Sequence, residues 1–423
     1  MKSIVRDSDN NLYATGSGSH SLFFPGSGGG IFLTKFDKNG NVVWARSAPF
    51  SGSGKEICLD NSGNIYMVGD LNVFNVFVAK FDPGGNLVWM KQINGRSYTF
   101  SKSINVDDYG GCYITGTFND TITFPGNSQL PNNSVDTDVY DLFLAKFDTA
   151  GNFTWSRHFT GLGGEKGIKI KCAYPFIYLA GAFDHQMHCD AYTVISNGHD
   201  DVFFSKLGIN GTVHWIKTAG GSSFDQLNDM FIDAKENIYL TGHVTTPAYF
   251  DNMEINNTII GKRILFISKY DSTGNIKWVS TGESITFSVG TCLSINSNED
   301  ILVSGLFCDN ISFENNFSLA AASNTVHNFF LAKFKSNGNF DWAFRVDKMG
   351  SIGTASLLAD KDDGSIYFGG WFNYKMVFPT GNGDIILDAY YQNPSYDVYM
   401  AKYNDPTFKP VTTNIAPSPV KKK

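Results

Sequence analysis

The sequence predicts an all-β fold, a seven-bladed β-propeller of four-stranded antiparallel blades, and three observations predict it. An apolar strand running into Lys, an aromatic residue and a tight turn recurs as FLTKFDKNGNVVW, FVAKFDPGGNLVW, FLAKFDTAGNFTW, FFSKLGINGTVHW, FISKYDSTGNIKW, FLAKFKSNGNFDW and a shortened YMAKYNDP. Each copy is preceded by NLYATG, NIYMVG, GCYITG, FIYLAG, NIYLTG, DILVSG or SIYFGG, whose last glycines are Gly16, Gly69, Gly116, Gly181, Gly242, Gly305 and Gly370. Those glycines lie 53, 47, 65, 61, 63 and 65 residues apart, so the repeat fills nearly all of the 423 residues.

The third unit shows how a copy becomes a blade. Ser103 to Val106 and Cys112 to Thr117 are joined through Asp107-Asp108-Tyr109-Gly110-Gly111, where glycine supplies the positive φ of a hairpin turn. Leu142 to Phe147 and Phe153 to Arg157 are joined likewise through Asp148-Thr149-Ala150-Gly151-Asn152. Gly, Asn, Ser and Thr interrupt every apolar run before a helical period is established, so each unit reads as a four-stranded meander. One such sheet cannot bury both faces, whereas seven arranged radially can. The units start near residues 2, 55, 102, 167, 228, 290 and 354, in one domain over 1–412, with 413–423 a disordered tail.

Trp44, Trp89, Trp155, Trp215, Trp278 and Trp342 hold one place in the fourth strand and are expected to wedge between neighbouring blades. Lys35, Lys80, Lys146, Lys206, Lys269, Lys333 and Lys402 recur as strictly and are expected to pair with acidic residues across strands. Closure is the awkward point. The last fourth strand has to come from Thr407 to Thr412, which contains Pro410 and no Trp, so the ring is expected to close without a strand exchanged between its ends.

The pattern D-x-x-G-N-I-Y-x-x-G, a variable loop, D-x-F-x-A-K-F-D-x-x-G-N-x-x-W and then G-G-S-x-x-D resembles the bacterial beta-propeller repeat (SBBP) family over residues 1 to about 405. Leu302 replaces the motif tyrosine in unit six, and Leu207-Gly208 replaces Phe-Asp in unit four. The resemblance implies a secreted or cell-surface bacterial protein, either a monomer or part of a larger surface assembly, and says little about activity.

Composition narrows the classes. A formal charge of −7 with no basic block before Lys421, Lys422 and Lys423 disfavours nucleic acid as a partner. Nowhere do 18 apolar residues run together, so no membrane-spanning segment is expected. Met1-Lys2 leads into SIVRDSDNN without an apolar stretch, which predicts a chain with no signal peptide of its own, either cytoplasmic or exported by a signal lying outside it. Six cysteines at irregular spacing, with no CxxC pair, are expected as free thiols.

The links from second to third strands are long and variable, running roughly from Ser17 to Gly30, Phe118 to Tyr140, Ala182 to Asp200, His243 to Arg263, Leu306 to Asn328 and Trp371 to Tyr396. Such loops on one rim of a rigid scaffold are where recognition of a protein or carbohydrate ligand is expected, with Trp371, Phe372, Tyr374, Tyr249 and Phe250 as an aromatic contact surface and His199 and Asp200 beside it. Phe23-Phe24-Pro25-Gly26, Phe124-Pro125-Gly126 and Phe378-Pro379-Thr380-Gly381 repeat a Phe-Pro step that reads as a structural corner. His185, His188, Cys189 and His199 are the one candidate set for a Zn or Cu site, at a spacing that matches no zinc motif. Asp7 to Asn11 and Asp37 to Asn41 resemble calcium loops but lack the downstream Glu, and turn chemistry accounts for them. There is no GxSxG or HExxH, no phosphate-cradling Gly loop and no implied cofactor. The reading is a non-catalytic binding or scaffolding propeller. A carbohydrate-active enzyme using Asp200, Asp201, His199 or Tyr192, and a metal-binding propeller, are the alternatives.

Overall fold

A computed structural model describes residues 1–18, 30–47, 52–132, 139–256, 261–321, 327–349, 352–360, 364–373, 375–378, 385–388, 397–404 and 411–412. Tyr374, the step at Phe23 to Gly26, Pro379 to Gly381 and the tail 413–423 lie outside the described residues. The chain is all-β with a propeller arrangement. In the third unit the strands are Thr99–Val106, Cys112–Phe118, Asp141–Phe147 and Phe153–Gly161, paired antiparallel in chain order, as the meander predicts.

The blades are not uniformly four-stranded. Only the sheets of the first and last units keep four strands, and the second, third and fourth units each lie in a six-stranded sheet. The extra strands come from the long links. The hairpin Ile122–Thr123/Gln129–Leu130, inserted in the third unit, pairs with the outer strand of the second through Thr123 opposite Asn94. Gln186–Cys189, Ala248–Phe250, Ile311–Ser312 and Lys375–Phe378 do the same, each for the unit before their own. Hydrogen bonding delimits five separate blades rather than seven. The strands of the fifth and sixth units fall in one twelve-stranded sheet, whose two halves are joined by a single parallel pair, Arg263 with Phe287. Spacing along the chain cannot show this sharing, because each donated strand belongs by sequence to one unit and by hydrogen bonding to another.

The innermost strands Ser3–Arg6, Ser53–Leu59, Thr99–Val106, Glu165–Ala173, Gln226–Ile232, Phe287–Ile295 and Ile352–Ala359 each lie against the next, and the last returns to the first. The core sits between neighbours. Tyr66, Val76 and Val78 pack with Ile114, Phe143 and Phe147 across one junction, and Ile4, Leu12 and Phe36 pack with Tyr367 and Met400 across the closing one. Closure uses no exchanged strand. Arg6 forms an ion pair with Asp360, the Ser356 hydroxyl donates to the Ile4 carbonyl at 3.1 Å, and the last sheet is completed by Val411–Thr412.

Several of the repeated residues take the structural roles expected of them, while Lys146 donates instead to the Ile209 carbonyl at 3.2 Å and Lys269 lies over the Tyr239 ring. A Cβ on Gly85, Gly151 or Gly338 would lie 2.7–2.8 Å from the ring of Trp44, Trp89 or Trp278 of the preceding unit, and all three glycines have φ between 80° and 91°. The tryptophan therefore stacks flat on a backbone that only glycine leaves open. Lys35, Lys80 and Lys333 reach Asp7, Asp60 and Asp300 at 3.5, 3.7 and 3.2 Å. Lys35 and Lys80 also lie 4.9 Å from the centres of Tyr13 and Tyr66. In the fourth unit, where Ala173 replaces the turn Asp, Lys206 turns to Glu236 of the next unit at 2.7 Å.

Candidate functional site

The residues picked as contacts from sequence do not form one surface. Phe250 is fully buried 5.2 Å from Phe266, and Phe372 is buried in the core beside Tyr399. Phe250 belongs to a series of phenylalanines on the donated hairpins, with Phe124, Phe313 and Phe378, that are buried against Phe266, Phe143, Phe330 and Phe368 of their own units while the hairpin pairs with the blade before, so this part of the aromatic expectation is corrected. Trp371 is half-buried; a Cβ on Gly353 would lie 2.4 Å from its ring. Tyr249 is exposed, with its hydroxyl 3.3 Å from Glu254.

The proposed metal ligands are held separately. His185 has φ 60° and pairs with Asp184 at 2.9 Å, while His188 meets the Thr193 hydroxyl at 2.8 Å. Cys189 is buried beside Phe159 and Met187, and burial pushes its thiol up to about 12. His199 stacks on Phe224 at 4.5 Å, and Asp200 pairs with Lys166 at 2.9 Å. Among the described residues no three His, Cys, Asp or Glu side chains gather as a metal site. All six cysteines are free thiols. The calcium-like loops are turns. Asp7 Oδ1 accepts from the Asp9 and Asn11 amides at 3.0 and 2.8 Å, and Asp37 does the same for Asn39 and Asn41.

Two features stand out on the link face, the face carrying the connections after the second and fourth strands of each unit. First, four successive connections from an outer strand to the next inner strand, from the second unit to the sixth, present an exposed apolar side chain: Tyr98 (47 % exposed), Leu162 (75 %), Phe224 (45 %) and Ile285 (60 %). Phe74 joins them, with its ring 5.9 Å from Tyr98. The opposite face offers the exposed pair Tyr109 and Tyr174, 4.7 Å apart. Just inside the link face, buried carboxyls sit between blades. Glu165 is pushed up to about 10 by burial and the adjacent Asp141, which also meets His158 at 2.5 Å. Asp201 and Asp225 are pushed up to about 7, chiefly by burial.

Second, the central cavity, of about 460 Å³, is lined by Lys2, Arg6, Lys55, Lys102, Lys169 and Lys171 against only Glu56 and Asp229. Its middle is an ion layer. Lys169 of the fourth unit reaches Glu56 of the second at 2.5 Å and Asp229 of the fifth at 3.3 Å. Glu56 also accepts from the Ser103 hydroxyl and the Ile104 amide, and Asp229 accepts from the Leu293 amide at 3.0 Å. Burial alone would raise the Glu56 carboxyl, but Lys169, Lys171 and these donors outweigh it and hold it low. For Lys169, burial is outweighed by Asp229 and Glu56, which raise it. Sequence reading passed over the cavity, although one signal was available: Lys-x-Ile stands five residues before the turn Asp in Lys2-Ser3-Ile4, Lys55-Glu56-Ile57 and Lys102-Ser103-Ile104.

No family model matches the chain. It is similar to an uncharacterized WD repeat-containing protein of Acanthamoeba polyphaga mimivirus, 23% identical over 466 residues that cover 89% of this chain and 33% of the relative. The chain thus spans about a third of that relative's length. Among solved structures it is similar to the Neurospora crassa Pan2 WD40 domain, 11% identical with a TM-score of 0.44, covering 87% of this chain and 85% of that one. It is also similar to the polysaccharide lyase Uly1, 11% identical with a TM-score of 0.45, covering 88% and 86%.

Proposed function

We propose that the chain is a seven-bladed propeller of the bacterial beta-propeller repeat type, outside the cell or on its surface, serving as a non-catalytic binding or scaffolding module for a protein or glycan. The count of seven rests on the inner strands, with the twelve-stranded sheet taken as two blades. The observation that carries the binding reading is the run of exposed Tyr98, Leu162, Phe224 and Ile285 at successive blade junctions on one face. Apolar side chains held out by short links on a rigid frame contribute little to the core and present a fixed contact surface. The long links support this indirectly, since their hairpins are taken up in sheet pairing and leave the short links as the forward surface.

Arrays of glycans and of cell-surface proteins test the reading. Replacing Leu162, Phe224 and Ile285 together by Asp is expected to abolish the signal given by the unaltered protein, with the thermal unfolding curve retained. A signal undiminished by the triple change, or new reducing ends or unsaturated products from a polysaccharide panel, would overturn it.

A further inference from the structure

The inner strands are not regular where they begin. In the second unit Gly54 pairs with Gly69 and Glu56 with Val68, leaving Lys55 as the extra residue of a bulge. In the third, Ser101 pairs with Gly116 and Ser103 with Thr115, which leaves Lys102 in the same position. The shift recurs at Ile168, Asn228 and Thr291, and Lys2 holds the corresponding place just before the first inner strand. A bulge residue is released from the alternation of the strand and its side chain is re-aimed, here onto the cavity wall.

Three adjacent units therefore place a lysine at one level of the mouth, on the link face where the inner strands start. The fourth, fifth and sixth units place Ile168, Asn228 and Thr291 there, so the charge is concentrated on one side. Lys55 is steadied by Asp70 at 3.0 Å, and Asp70 is itself fixed by the Ser101 amide and hydroxyl at 2.8 Å. Lys2 and Lys102 form no ion pair among the described residues and are exposed to the mouth. The nearest carboxylates deeper in the cavity, Glu56 and Asp229, are already engaged by Lys169.

We infer that Lys2, Lys55 and Lys102 form a binding site for a small multiply charged oxyanion, a polycarboxylate or polyphosphate group, at the link-face mouth of the central cavity. Three ammonium groups, with one N–H of Lys55 taken by Asp70, provide up to eight N–H donors, which suits a compact anion of two or three charges. The wall around them excludes part of the solvent that screens such contacts on an open surface. Consistent with this crowding, the enclosing wall and then Lys55 hold the Lys2 and Lys102 ammonium groups below the ordinary lysine range. An anion bound among them relieves that repulsion. The site goes beyond the proposed binding of a macromolecule on the link face and stands or falls separately from it.

Calorimetric titration at low ionic strength with citrate and with inorganic pyrophosphate tests it. At least one probe is expected to bind saturably, and whichever does identifies carboxylate or phosphate as the preferred chemistry. Lys2→Gln/Lys102→Gln is expected to weaken that binding by about tenfold or more, whereas Lys235→Gln, at a turn on the opposite face, leaves it unchanged. Acylation of the unaltered protein, followed residue by residue by mass spectrometry, gives a second readout that needs no variant: the bound probe is expected to protect Lys2 and Lys102 selectively. Absence of saturable binding by both probes, equal affinity in the double variant, or uniform acylation with and without probe would overturn the inference.

Discussion

Replacing Lys169 by Met removes the one cation that joins the second, fourth and fifth units across the cavity, and its cost follows from the distances. At an effective dielectric of about 20, ion pairs at 2.5 and 3.3 Å gain roughly 7 and 5 kcal/mol before desolvation. Desolvating the three ions takes back most of that, so the layer contributes little net stability while intact. Without that cation Asp229 loses its ion pair and Glu56 keeps only the influence of Lys171, a loss of about 3–5 kcal/mol for the two buried carboxylates. Met fills most of the volume of the Lys stem, so the loss is electrostatic rather than a cavity effect. Urea unfolding at neutral pH measures it. The deficit is expected to shrink as pH falls, because an uncompensated Glu56 takes up a proton more readily folded than unfolded, and a raised carboxyl costs stability only above its unfolded pKa. Glu56→Gln in the same background is expected to recover more than half of the loss, since the Gln oxygen still accepts from Ser103 and Ile104. A cost under about 1 kcal/mol, or no recovery by Glu56→Gln, would refute the cross-cavity layer.

Two further outcomes follow from the junctions. Gly151→Ala drives a methyl to 2.7 Å from Trp89 at φ 80° and is expected to cost about 2–4 kcal/mol in urea unfolding. Gly126→Ala, at φ 85° but with open space around it, is expected to cost only about 1–2 kcal/mol; equal costs would remove the wedge from the account. Asp201 and Asp225, pushed up to about 7 from an ordinary value of 3.8, bind protons more tightly folded than unfolded. Their contribution is therefore fully present below about pH 4, falls by up to roughly 4 kcal/mol for each group taken alone as pH rises toward 7, and is flat above. Asp201→Asn, which keeps an acceptor for the Asn197 amide, is expected to remove its share of that slope in urea midpoints taken across this window, and an unchanged slope would contradict the assignment.

Much of the blade was legible because its determinants are local. The turn Asp that accepts from the amides two and four residues on, the glycine at positive φ and the Trp that needs it recur at fixed offsets, and each implies its own neighbour. The donated hairpins were not legible, because Gln186–Cys189 reads as part of the fourth unit and pairs with the third. That pairing is what buries Cys189 and splits the histidine cluster of the fourth unit into separate local contacts. The aromatic surface was misread for the same reason. Phe250 looks like an exposed loop aromatic in sequence, and it becomes a core residue only once Ala248–Phe250 lies along Val213–Gly221.

Within each repeat, nearly every position is committed to holding the ring. The residue after the bulge staples one unit to the next, as Ser3 does to the Ile57 amide at 3.3 Å, Ser103 to Ile170 at 3.1 Å and Asp229 to Leu293 at 3.0 Å. The next residue is apolar throughout the series from Ile4 and Ile57 to Leu293 and Leu357, and it is buried between sheets. The bulge residue has no partner in the strand pairing and faces the cavity, although Asn228 of the fifth unit still donates to the Gly290 carbonyl of the sixth at 2.7 Å, and the short link lies beyond the strand ends. Lys2 and Lys102, and the apolar side chains at four links, are therefore outside the strand pairing at positions where the side chains change from unit to unit, while Lys55 is held by Asp70. Both sets lie toward the same face, so that face carries positions that can vary without disturbing the fold.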